Sequence, residues 1–197
     1  TYGATLIVND GKVDSALAYT SVSAGTEGIP GQGTWETTLR PRDLDGDGLA
    51  DAYYDTAQDI TWLADRTLPR LTLSEANSWV ASLNVHGVTG WRLFNVQTSP
   101  LTSELSKLYF DTLGNVVMNW SNVGPFWFIT PLEAHMPPPP GWYWSGTPAF
   151  TAGASESNWG FSLGILEYIY FDASSRLWVW PVRTGDVAAA SATAASD

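Results

Sequence analysis

Three features of the sequence predict an α+β fold. Aromatic and β-branched residues alternate with small polar ones from Tyr2 to Val22, two amphipathic helical patterns occupy the middle, and short aromatic runs between turn signals close the chain. With 44% hydrophobic and 15% charged residues in a chain of 197, the balance is globular, and the length suits one well-buried core with extensions. The presence of 18 Gly and 12 Pro predicts a turn-rich chain.

The first element is a hairpin, with "ATLIV" from Ala4, an "NDGK" turn signal from Asn9, and "ALAYTSVSA" from Ala16. Residues 25–41 are punctuated by Gly and Pro and read as a loop with a short strand around Trp35 to Leu39. After an acidic stretch come two short strand-favouring runs, Tyr53-Tyr54 and Ile60 to Leu63. "TLSE" at Thr72 to Glu75 is a capping box, and Ala76, Trp79, Val80 and Leu83 fall on one face of the helix it opens. A second helix is expected from Ser99 as cap and Pro100 at its first turn, with Leu101, Leu105, Leu108 and Tyr109 as its stripe and Gly114 as its stop. Between Asn119 and Trp144 proline is too frequent for regular structure, so a long ordered excursion is predicted, with polyproline II at Pro137 to Pro140. The final strands are "NWGFSLG", "EYIYFD" and "RLWVWPVR", followed by a low-complexity tail over 188–197.

Charge narrows the partners. A net charge of −11 with only nine Lys and Arg opposes binding to nucleic acid, which needs a basic face, and supplies no polybasic patch for anionic lipid. No run of about 18 apolar residues is present to span a bilayer. The chain opens without a charged n-region and apolar h-region, so a secreted protein with its signal peptide already removed is expected. The abundance of Trp and Tyr beside so few Lys favours a rigid extracellular protein. Having no cysteine, the chain has no disulfide, thiolate metal site or cysteine nucleophile.

The acidic stretch carries the clearest chemical signal. Asp43, Asp45, Asp47, Gly48 and Asp51 occupy the first, third, fifth, sixth and ninth places of a D-x-D-x-D-G-x-x-D calcium loop, with the Leu49 carbonyl at the seventh. Carboxylates crowded so closely repel one another, and a bound Ca2+ turns that repulsion into stability. The twelfth place holds Tyr54 rather than Glu, so closure falls to Asp55 one residue late, to another ligand, or to water. No helix pair flanks the loop, which favours a structural ion over a regulatory one. The competing reading is a solvated acidic turn.

Catalysis finds little material. Two histidines, His86 in a helix-exit turn and His135 in a proline-rich loop, read as ordinary surface residues. No pair of carboxylates can be placed at the separation of roughly 5–10 Å that glycosidases use. The chain is therefore expected not to be an enzyme.

"LTLSEANSWVASLNVHGVTGWRL" (Leu71 to Leu93), "YWSGT" (Tyr143 to Thr147) and "VWPVRTGDV" (Val179 to Val187) resemble the C-terminal domain family of the Legionella collagen-like protein. The variant is similar to that of exosortase-sorted (PEP-CTERM) bacterial surface proteins, which carry a comparable "YDT…ITWLAD" opening strand, here Tyr54 to Thr56 and Ile60 to Asp65. The resemblance spans about Tyr53 to Val187. It implies a C-type-lectin-like fold in which two helices flank antiparallel strands, the first and last strands pair, and long ordered loops support binding. The expected organisation is a β arm and Gly/Pro loop over 1–42, the lectin-like domain over 43–187 with its acidic loop at 43–55, and the tail.

The family position makes Trp79, Trp91, Arg92 and Arg183 structural, with both indoles buried and both guanidinium groups hydrogen-bonded in or beside the core. Two departures stand out: Phe94-Asn95-Val96 replaces the family's Pro-Thr after Trp-Arg-Leu, and no sorting tail follows Val187. Formylglycine-generating enzymes share the implied fold, but their chemistry needs cysteine. The Glu-Pro-Asn, Gln-Pro-Asp and Trp-Asn-Asp motifs of calcium-bridged sugar binding are missing; "SNW" at Ser157 is a faint echo. Glycan stacking would fall to Trp142, Tyr143, Trp144, Phe126 and Trp127, against the competing claim of the core on such residues. The resemblance thus implies an extracellular, cell-surface or biofilm-matrix adhesin that binds glycan or protein. The alternative is a filament subunit that self-associates through its N-terminal β arm, whose apolar strand leaves an edge to be covered.

Overall fold

The computed structural model describes residues 2–6, 18–22, 33–64, 68–96, 102–116, 122, 124–126, 141–148, 157–162 and 167–188. It is a mixed α+β structure of two five-stranded sheets, few helices and a separate hairpin. In the hairpin, β1 (Tyr2–Leu6) pairs antiparallel with β2 (Ala18–Val22), two strands that the alternation predicts, in the register Tyr2↔Val22 to Leu6↔Ala18. These two strands form a sheet of their own, and neither belongs to either five-stranded sheet. The turn between them lies outside the described residues.

Trp35–Thr38 is a single helical turn, α1, not the strand expected there. The Thr34 carbonyl takes the N–H groups of Thr37 and Thr38, and both threonine hydroxyls donate to it as well. These local bonds outweigh the strand preference of the threonines. Extended chain begins with β3 (Leu39–Arg42), followed by β4 (Ala52–Asp55) and β5 (Ile60–Leu63), all antiparallel.

After β6 (Arg70–Leu71), the capping box forms at helix α2 (Leu73–Ser82): Thr72 Oγ1 accepts the Glu75 N–H, and the Glu75 carboxylate accepts the Thr72 N–H. Ala76 and Val80 are buried, and Trp79 is half-buried against the same core rather than fully enclosed. Strand β7 (Arg92–Leu93) leads to helix α3 (Glu104–Lys107), which continues into a π-helical turn, Leu108–Thr112. Ser103 caps α3 by accepting the Ser106 N–H at 2.9 Å, while the expected start at Ser99 and Pro100 lies outside the described residues. Gly114 ends the helix at φ +67°, a conformation that glycine reaches without steric penalty.

The proline-rich excursion, including Pro137 to Pro140, lies largely outside the described residues. Trp142–Pro148, whose first three residues were assigned to that excursion, is strand β8. It is followed by β9 (Ser157–Ser162), β10 (Glu167–Asp172), β11 (Leu177–Trp178) and β12 (Pro181–Thr184). The run "RLWVWPVR" is thus two strands in two sheets, crossing at Val179-Trp180. One sheet has the order β10-β9-β8-β11-β6, with β11 parallel to β8; the other has the order β3-β4-β5-β12-β7. Among the described residues no helix is long and apolar enough to cross a membrane.

The core forms where the chain crosses. Trp180 stacks edge-on with Trp62 of β5 and with Phe126, each at 5.2 Å, lies 6.3 Å from Tyr143 of β8, and donates its indole N–H to the Leu63 carbonyl. A second cluster packs α2 through Leu73, Ala76 and Val80 onto Leu93, Trp144 and Val179. The third gathers Ala52, Leu63, Val88, Trp91 and Val187, with Leu44 and Val85 packed against it. Trp180→Ala should destabilise the protein by about 3–5 kcal/mol, as truncation of a buried aromatic does. Urea unfolding measures this, and a loss below about 1 kcal/mol would show that the indole does not join the sheets.

Candidate metal centre

The acidic loop joins β3 to β4 at one end of its sheet. Its base is closed by the Asp51 N–H to the Arg42 carbonyl at 2.8 Å, and Leu44 packs into the third core cluster. Backbone N–H groups hold the carboxylates in place. Asp43 accepts from Gly46 on Oδ1 and Gly48 on Oδ2, Asp45 from Asp47, Asp47 from Leu49, and Asp51 from Leu44. Gly46 and Gly48 have φ of +80° and +87°, which lets the chain curl back so that its amides face inward. The amide of Gly48, the largest influence, and that of Gly46 hold the exposed Asp43 carboxyl below its ordinary pKa.

Among the described residues, two sets of side chains could hold a metal ion. Single ligand atoms of Asp43, Asp45 and Asp47 lie within 4.8 Å of one another, and so do those of Asp45, Asp51 and His86. A hard cation contacting oxygens at about 2.4 Å fits that span. The first set offers oxygen only. The second, sharing Asp45, adds an imidazole nitrogen, a donor suited to transition metals.

His86 stands exposed in the turn after α2, as the sequence predicts, but its neighbours were not legible there. It is not an isolated surface histidine: its Nε2 is 3.3 Å from Asp51 Oδ1 and its Nδ1 is 3.6 Å from Asp45 Oδ2. Val85 and Val88 exchange both backbone hydrogen bonds around a two-residue turn, and His86 and Gly87 occupy it at φ +48° and +90°. Positive φ at both central residues marks the tight hairpin turn, and Asn84 secures it by accepting the Gly87 N–H. Because Val85, Val88 and Leu44 share one core cluster, the turn and the loop are fixed side by side. A His-Gly pair between valines signals the turn, but nothing in the sequence signals what the imidazole faces.

Asp55 does not belong to this site. It is fully buried at the far end of β4, about 13 Å along an extended strand from Asp51. There it accepts hydrogen bonds from the Ala57 N–H, the Gln58 side-chain amide and the Thr112 hydroxyl, tying the β4–β5 turn to the π-helical turn. Leu49, at the seventh place, has its side chain exposed.

The other site residues fall mainly in the scaffold. Trp91 is buried and donates to the Val88 carbonyl. Arg92 forms a two-pronged pair with Glu104 at 2.8 Å on each prong, linking β7 to α3, and Arg183 donates to the Thr89 carbonyl at the surface. Of the aromatics considered for glycan stacking, Phe126, Tyr143 and Trp144 are buried and present no face to solvent; burial drives the Tyr143 phenol far above its usual pKa. Trp142 is half-buried against Phe171, and Trp127 lies outside the described residues.

No family model matches the chain, and no curated protein matches it.

Two expectations follow. After chelation, one of Ca2+, Mg2+ and Zn2+ added in separate arms should raise the melting temperature by on the order of 5–10 °C at about a hundredfold excess over Kd. Asp45→Ala, which removes the ligand that both sets share, should abolish the rise, and the absence of any shift or binding heat would remove the centre.

At the base of the loop, Arg42 donates to both Asp186 oxygens, at 2.7 and 2.6 Å. This hydrogen bonding, above all, holds the Asp186 carboxyl below its ordinary pKa. The resulting stability is fully present above the ordinary carboxylate value of about 4 and is lost as pH falls through the depressed one. The melting-temperature gap between the native chain and Asp186→Asn should therefore close in acid, and a pH-independent gap would contradict this.

Proposed function

We propose that the protein is an extracellular surface or matrix component that assembles with copies of itself through its N-terminal hairpin. Its body is read as a C-type-lectin-like module whose 43–51 loop is stiffened by Ca2+. The observation that carries this reading is the separateness of β1 and β2, a two-stranded sheet outside both larger sheets. An isolated hairpin is marginally stable in water, and its outer backbone groups are satisfied by joining another sheet. Neither strand carries a charged residue to discourage that pairing.

The lectin-like part of the reading draws on the resemblance and on the pairing of β5 with β12, which joins the opening and closing strands of the similar region. Calcium is favoured because Asp43, Asp45 and Asp47 present oxygen alone and the loop supplies a seventh-place carbonyl. The reading is non-enzymatic: these carboxylates are bonded to the amides of an exposed loop, an arrangement suited to holding a cation.

A second reading, an adhesin binding glycan or protein, is favoured by one observation. Tyr170 is 56% exposed on β10 and lies edge-on to half-buried Trp159, so it offers an accessible aromatic face.

Light scattering and electron microscopy across a concentration series test the assembly reading. The native chain should grow into fibres or layers, whereas Thr5→Pro/Thr20→Pro, which removes an amide from each hairpin strand, should remain monomeric with an unchanged melting temperature. A native chain that stays a monodisperse monomer at its highest soluble concentration would overturn the reading.

A further inference from the structure

The two five-stranded sheets have four outer edges, and three are poor templates for another strand. β6 and β7 are two residues each, and β3 carries Pro41 between Arg40 and Arg42. Short edges, proline and positive charge are the standard protections against strand addition. β10 has none of them. It runs for six residues, its interior Tyr168-Ile169-Tyr170-Phe171 contains neither charge nor proline, and its acidic residues stand only at the ends. β9 pairs with one side along its whole length; among the described residues no strand pairs with the other side. Ile169 and Tyr170 are 40% and 56% exposed, making β10 the longest apolar edge described.

We propose that the outer edge of β10 accepts the β1–β2 hairpin of a second copy of this chain. The inference rests on the assembly reading above and names the surface that receives the arm. Three properties select this occupant. A five-residue hairpin strand matches the six-residue edge in length, and both are free of charge except at the ends of β10. Each copy carries a net charge of −11, so two copies approach most easily along the hairpin strands and the interior of β10, which carry no carboxylate. The hairpin and β10 are also different surfaces, so a head-to-tail contact leaves one donor and one acceptor open at its ends and grows into a filament unless its rotation closes a ring or a reciprocal dimer.

Complementation tests this with two full-length variants. Thr5→Pro/Thr20→Pro lacks a working hairpin but keeps β10; Ile169→Lys/Tyr170→Lys keeps the hairpin but charges the edge. Melting curves check that both bodies fold, with Ile169→Lys alone as a milder form of the second. Each variant alone should be monomeric, and an equimolar mixture should form 1:1 dimers that grow no further, as read by light scattering. A β10 variant that assembles like the native chain would overturn β10 as the acceptor while leaving assembly through the hairpin in place. A mixture that stays monomeric beside an assembling native chain would also overturn it. A native chain that does not assemble would remove the underlying reading as well.

Discussion

The indole of Trp180 is the contact on which the rest of the body depends. It sits where the chain leaves one five-stranded sheet at Trp178 and joins the other at Pro181, and it touches Trp62 in the second and Tyr143 in the first. Its N–H is taken by the Leu63 carbonyl, so a buried donor is satisfied without interrupting the aromatic packing. Because β12 lies between β5 and β7, the position of Trp180 also sets those pairings. Phe126 and Tyr143, two of the residues weighed for glycan stacking, are spent on this junction.

From that junction the acidic loop is held at one remove. β5 fixes β4, β4 fixes the loop base, and Val187 just beyond β12 enters the cluster that anchors Leu44 and the His86 turn. Arg42 and Asp186 add a pair that clamps the loop's first strand to the chain after β12. A cation in such a loop would act on a preformed frame and would chiefly relieve carboxylate repulsion. The hairpin contrasts with all of this, since its two strands pair only with each other.

What could be read from the sequence was what is decided locally. The capping box at Thr72, the stop at Gly114 and the acidic loop each depend on residues within a few positions, and each forms. Misreadings arose where distant partners decide. "RLWVWPVR" reads as one strand because both faces are apolar, yet it splits because its two halves pair in different sheets. Spacing offers Asp55 as one way to close the loop, but strand alternation and Thr112, 57 residues away, bury it elsewhere. His86 meets Asp51 only because two loops share one apolar cluster, and no spacing rule encodes that. Trp35 to Thr38 misled in a different way, through a competition among threonine side-chain hydrogen bonds that propensity does not capture.

The central claim is that a rigid body carries an arm whose backbone is satisfied by a neighbouring molecule. Hydrogen–deuterium exchange of the native chain, compared between dilute and concentrated solution, addresses it most directly. The account predicts that amides of Tyr2–Leu6, Ala18–Val22 and β10 gain protection together as concentration rises, while those of β12 stay unchanged. Protection at the hairpin and β10 that is the same at every concentration would contradict it.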